Sequence, residues 1–159
     1  MLRLGTILCI GIVLALEGPV CAGELQIWTQ TIPPRLLRTV PVEKDGTFTV
    51  AWEHSVEHFQ WRETFLITPA GPLRLLRSST QGYGAGTPDR QREGDAFRVE
   101  RGWLVNEPVG LELEELPISL SRLSPHWLES GAMRLSLLEI AGEQAVLLRP
   151  KRGAVPNQR

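Results

Sequence analysis

The chain has 159 residues, with 17 Lys plus Arg against 18 Asp plus Glu and a formal net charge of −1 at pH 7. That balance gives no electrostatic case for nucleic acid or an acidic membrane surface as a partner. Both cysteines, Cys9 and Cys21, fall within residues 1–22, so beyond that point there are no disulfides and no thiolate metal ligands.

Arg3 precedes an apolar run over residues 4–16 that carries no charge. Gly18 and Pro19 then break any helix, and Val20, Cys21 and Ala22 offer small residues for a signal peptidase. The pattern predicts a signal peptide over residues 1–22, with export to the periplasm or beyond. Retention of the leader as an anchor is the weaker alternative, because the run falls short of the ~20 apolar residues that span a bilayer.

After the leader, period-two patterning predominates. Leu25 to Thr29 reads as a strand, broken by Pro33 and Pro34, and residues 35–42 form a less regular second one. Asp45-Gly46 is a turn dipeptide suited to the positive φ of a tight hairpin. Phe48, Val50 and Trp52 then alternate with Thr49 and Ala51. Trp61, Phe65 and Ile67 share one face of the next strand, and Glu63 shares it with them. Ala70-Gly71-Pro72 is a turn and residues 73–77 a strand. The glycine-rich residues 81–94 form a long loop.

Phe97 and Val99 mark a strand ending at Gly102, and Val109, Leu111 and Leu113 mark another. Residues 120–130 are the one helical candidate, with Ser124 and Pro125 as N-cap and N1. Met133, Leu135 and Leu137 alternate in a further strand; after a turn at Ala141-Gly142-Glu143, residues 144–149 make the last. The expected fold is all-β: a single antiparallel sandwich or barrel-like domain over residues 23–150, of about eight or nine short strands with at most one short helix. Residues 151–159 form a tail.

The stretch "FTVAWEHSVEHFQW", residues 48–61, holds two of the three histidines. His54 and His58 would share a metal on a helix, where i and i+4 lie about 6 Å apart. On a strand the same spacing covers about 13 Å, against metal–ligand distances of about 2 Å, so no metal site is expected and His58 reads as a surface residue. Ser55 adjoins His54, but strand neighbours point to opposite faces and no G-x-S-x-G elbow is present. His54 and Glu63 could instead face each other across neighbouring strands, either as a structural pair at the rim of the core or as the wall of a ligand site.

The second feature is "QGYGAGTPD", residues 81–89. Its glycines allow a backbone nest for an anion, or simply close packing of a loop on a strand. No Lys-Ser or Lys-Thr pair follows, and no helical pattern, so neither a P-loop nor a dinucleotide fingerprint is present. Trp52 and Trp61 read as core; Trp103 and Trp127 read as half-buried residues or partner contacts. Glu112, Glu114 and Glu115 read as a solvated face.

Together, the His-Ser-Val run at His54, Ser55 and Val56, the later Glu63, and the loop Gly84, Ala85, Gly86 and Pro88 resemble the small exported bacterial proteins grouped as domain of unknown function 1850. This chain has Gln60 where that family often carries a proline. The family has no established activity. The resemblance implies an accessory or interaction role beside a membrane permease, or its binding protein, of the TAXI-type tripartite (TRAP) solute transporters. The expectation is therefore a non-enzymatic exported protein without cofactor or metal, centred on those residues. The alternative is a binder of a small organic acid or other anion, held by His54 and the loop N–H groups. A small hydrolase or metal-dependent enzyme is third.

Overall fold

The computed structural model describes residues 23–83 and 96–151. The leader over 1–22, the motif residues Gly84, Ala85, Gly86 and Pro88, and the tail from 152 lie outside the described residues.

The described chain runs β1 (Gly23–Thr29), β2 (Leu36–Val42), β3 (Thr47–Glu53), β4 (Gln60–Ile67), β5 (Leu73–Thr80), β6 (Ala96–Glu100), β7 (Trp103–Glu107), β8 (Leu111–Leu113), β9 (Leu116–Ile118), β10 (His126–Ser130), β11 (Met133–Ser136), α1 (Leu137–Ala141) and β12 (Val146–Pro150). The strands form two open antiparallel sheets rather than a closed barrel. The small sheet has the order β2-β1-β12-β9, and the large one β11-β10-β3-β4-β5-β7-β6. β5 is shared: Leu73 to Leu75 pair with β8, and Ser78 to Thr80 with β7. No helix among the described residues is long and apolar enough to cross a membrane.

Alternation builds the core. Leu25 and Ile27 of β1, Val40 and Val42 of β2, and Val146 and Leu148 of β12 point from the small sheet onto Phe48, Val50, Phe65 and Leu128 of the large one. Phe48 and Phe65 are cross-strand partners whose rings stack at 5.5 Å. The opposite face of the large sheet carries ion pairs: Arg62 and Arg134 with Glu129, and Arg77 and Arg98 with Glu100 and Glu107.

The expected strands are present in outline, but their number is larger, the strand expected from Val109 starts at Leu111, the one expected through Leu137 stops at Ser136, and the helix has moved. β7 and β9 are additional strands. Residues 126–130 form β10, not a helix, because Leu128 and Ser130 are buried in strand alternation between β3 and β11. The Ser124 hydroxyl donates to the Glu53 carbonyl at 2.7 Å instead of capping a helix. The helix lies at residues 137–141, where the Ser136 hydroxyl accepts the Glu139 N–H at 3.2 Å. Gly46 does take a positive φ of 75°, but the Asp45-Gly46 turn carries the chain from the small sheet to the large one and is not a hairpin within one sheet.

Two poles follow from this path. At one, Gly23, Lys44 to Gly46, Thr68 to Pro72, Pro150 and Lys151 line a common cleft. At the other, the end of β3, the start of β4, the end of β5 and the approach to β10 meet, through Glu53 N–H to Pro125 O and Gln81 N–H to Gln60 O.

Ser130 pairs with Met133 across a two-residue turn in which Gly131 has φ of 56°. A Cβ there would lie 1.6 Å from Glu43 Oε1 and 2.9 Å from its Cγ. Gly131→Ala is expected to cost roughly 1–2 kcal/mol for the left-handed backbone alone, plus a steric part. Urea unfolding of Gly131→Ala with and without Glu43→Ala separates the two: the second change should recover the steric part only.

Candidate functional site

The second pole carries a row of rings on the inner face of the large sheet. Register places His126 opposite Trp52, and Trp52 opposite Trp61. Trp52 stacks on His126 at 5.6 Å and on Trp61 at 5.4 Å. The row continues past β4 through Phe59, 6.5 Å from Trp61, to His54, which lies 5.3 Å from Phe59 and 6.4 Å from Trp61. A Cβ on Gly82 would lie 2.8 Å from the Phe59 ring, so the root of the glycine loop is glycine because a ring packs on its backbone.

His54 shapes the turn that ends β3. Its Nδ1 accepts the N–H of Glu57 at 3.2 Å and of Val56 at 3.4 Å, and its carbonyl accepts the His58 N–H at 3.0 Å. An accepting Nδ1 carries no proton, so the neutral ring is protonated at Nε2. Ser55 and Val56 are exposed in this turn. His58 leaves the turn with φ of 55°, is exposed, and pairs with Glu53 at 3.0 Å. The sharp bend that a shared metal would need does exist; His54 Nδ1 faces backbone N–H groups and His58 Nδ1 faces Glu53, and no group of three or more potential ligands occurs among the described residues. The Gln60 N–H donates to Gln81 Oε1 at 3.1 Å, a bond that a proline at this position could not make.

Glu63 is the unusual member of the inner face. It is paired in register with Val50 on one side and Ser78 on the other, so Phe65 and Trp61 flank it along β4. It is therefore not the cross-strand partner of His54; the Trp61 ring stands between them along the strand. Among the described residues no side chain or N–H hydrogen-bonds its carboxyl, and burial alone pushes that carboxyl up to about 7. Beside it, the Ser78 hydroxyl accepts the Trp61 indole N–H at 3.2 Å, and Asn106, opposite Ser78 on β7, is buried. Glu63, Ser78 and Asn106 thus form a polar row next to the row of rings.

His126 closes the ring row. Burial lowers its imidazole below the ordinary value, opposed by Nδ1–H donation to the Ser124 carbonyl at 2.7 Å. Of the expected residues, His54 and Glu63 share this region, Ser55 and Val56 sit on its rim, and the glycine motif from Gly84 lies outside the described residues. His126, Phe59, Ser78 and Asn106 are additions. The period-two pattern over residues 126–130 is the signal that would have brought in His126. Trp52 and Trp61 belong to the site as well as to the core edge. Trp127 and Trp103 are half-buried, Trp127 beneath the Arg134 guanidinium at 4.8 Å.

A family model described as Domain of unknown function (DUF1850) matches residues 48–137. The chain belongs to this family. No curated protein and no solved structure matches it. The DUF1850 span begins at Phe48, at the head of the ring-bearing strands, and takes in every described residue of the site.

The sign of the Glu63 effect is fixed by its direction. The folded state keeps the proton that the unfolded chain loses above pH 4.5, so the stability this group permits is complete below pH 4.5 and is lost as pH rises to about 7. The full loss is roughly 3 kcal/mol. His126 acts oppositely, eroding stability as pH falls through 6.5. Glu63→Gln should match the wild type at pH 4.5 and exceed it by about 2–3 kcal/mol at pH 8. Because His126 is common to both proteins, the difference between their urea midpoints isolates Glu63, and a pH-independent difference would refute its desolvation.

Proposed function

We propose that the protein is a non-enzymatic binding module that receives a small molecule at the ring-lined pole of its large sheet. The observation that carries this reading is Glu63: a carboxyl set among Val50, Trp61 and Phe65 without a hydrogen-bond partner among the described residues. Such a group costs the fold stability, and ligand sites combine apolar and aromatic linings with a few oriented polar groups of perturbed pKa. Trp52, Trp61, Phe59 and His126 supply the lining, and Ser78 and Asn106 the further polar groups. Against a hydrolase stands His54 Nδ1, which is occupied by backbone N–H groups and is unavailable as a base.

The transport setting suggested by the family resemblance gives such a module a use, as an exported accessory of a TAXI-type TRAP system that meets solute before the permease. A second reading, direct contact with the permease or its binding protein, is favoured by Val56, Tyr83 and Leu123. These are exposed apolar side chains on the three segments that meet at the same pole.

Thermal-shift screening of the full mature chain against small organic cations, organic acids and neutral polyols tests the first reading. A hit is expected to raise Tm by several degrees in the wild type, and Trp52→Ala is expected to reduce that rise by at least half while retaining a cooperative melt. Capture of a permease that is unchanged by any hit and is lost in Val56→Asp/Leu123→Asp would support the second reading instead.

A further inference from the structure

One side chain sets the sign of charge on the inner face. On the described strands of the large sheet every arginine stands on the outer face: Arg62 and Arg134 meet Glu129, Arg74 meets Glu112, and Arg77 and Arg98 meet Glu100 and Glu107. Around Glu63 the inner face presents Val50 and Trp52 from β3, Trp61 and Phe65 from β4, Ser78 from β5 and Asn106 from β7. Among the described residues, the other titratable groups on that side are His54, with Nδ1 used as an acceptor, and His126, whose charged form burial disfavours. The described inner face therefore offers one acid and no fixed cation. An anion placed there would face a carboxylate with no counter-charge among the described residues of that face. A cation would replace the solvation that the carboxylate has lost, and the tryptophans would cover its hydrocarbon part.

We infer, resting on the small-molecule reading above, that the ligand is a small organic cation (an alkylamine, a quaternary ammonium or a guanidinium) whose charge pairs with the Glu63 carboxylate while its carbon skeleton packs beside Trp52 and Trp61. The sequence alone suggested the opposite sign, through His54 and the glycine loop. The strand register reverses it by setting Glu63, not a basic group, next to the rings. Pairing requires ionised Glu63, so a cation that arrives while the carboxyl is protonated displaces that proton to solvent. The binding constant should rise with pH through the range in which Glu63 titrates.

The test is calorimetric titration of the full mature chain with choline, putrescine and agmatine, alongside succinate and trehalose, at pH 6 and pH 8. At least one cation is expected to bind, roughly tenfold more tightly at pH 8 than at pH 6. Glu63→Gln, which keeps side-chain volume and should fold at least as stably, is expected to lose at least tenfold in affinity and to abolish the pH dependence. Binding of succinate or trehalose that is lost in Trp52→Ala would overturn the cation assignment while leaving the ring-lined site intact. No response to any of the five compounds would overturn both the assignment and the small-molecule reading. Cation binding that survives Glu63→Gln unchanged would overturn the role of Glu63.

Discussion

The pairing register of β3 with β4 is the constraint on which the rest depends. Phe48 against Phe65 and Trp52 against Trp61 hold it at both ends, and Val50 against Glu63 lies between. Because successive side chains on a strand point to opposite faces, a slip of β4 by one residue would carry Trp61 and Phe65 to the ionic face, break both stacked pairs and put Arg62 into the core. The two ring pairs thus specify the core and also fix where the inward carboxyl of Glu63 sits. Core packing and the site are outcomes of the same register.

Much of this was readable from residue pattern. The alternation of Phe48, Val50 and Trp52 and of Trp61, Phe65 and Ile67 identified the two strands, and it already placed Glu63 on the buried side. The short strands were less legible. β9 is Leu116–Ile118, with a proline at its centre, too brief for periodicity to register. β7 is Trp103–Glu107, whose Leu104, Val105 and Asn106 are buried in succession, so no alternation shows. The misplaced helix has a clear cause. Ser-Pro is a sound helix start, but Ser124 spends its hydroxyl on the Glu53 carbonyl, and the strand is drawn into the gap between β3 and β11 by long-range pairing that no local signal contains.

The site was legible in part. His54 and Glu63 stood out by type, and their common face followed from alternation. What could not be read was which group each would meet. The imidazole turned out to organise the turn that follows it, using Nδ1 as a side-chain cap. The carboxyl came to rest beside a serine and an asparagine from strands 15 and more residues downstream, a neighbourhood created by sheet order. His126 entered for the same reason: it reaches Trp52 only because β10 pairs with β3.

The path of the chain also separates its ends from its site. Gly23 and Lys151, where the described fold begins and finishes, lie together at the pole away from the rings, with the Lys151 N–H donating to the Glu24 carbonyl at 2.7 Å. An affinity tag or surface linker joined directly at Gly23 or Lys151 would therefore depart from the far side. A molecule grafted at Gly23 would turn the ring-lined pole away from whatever holds it.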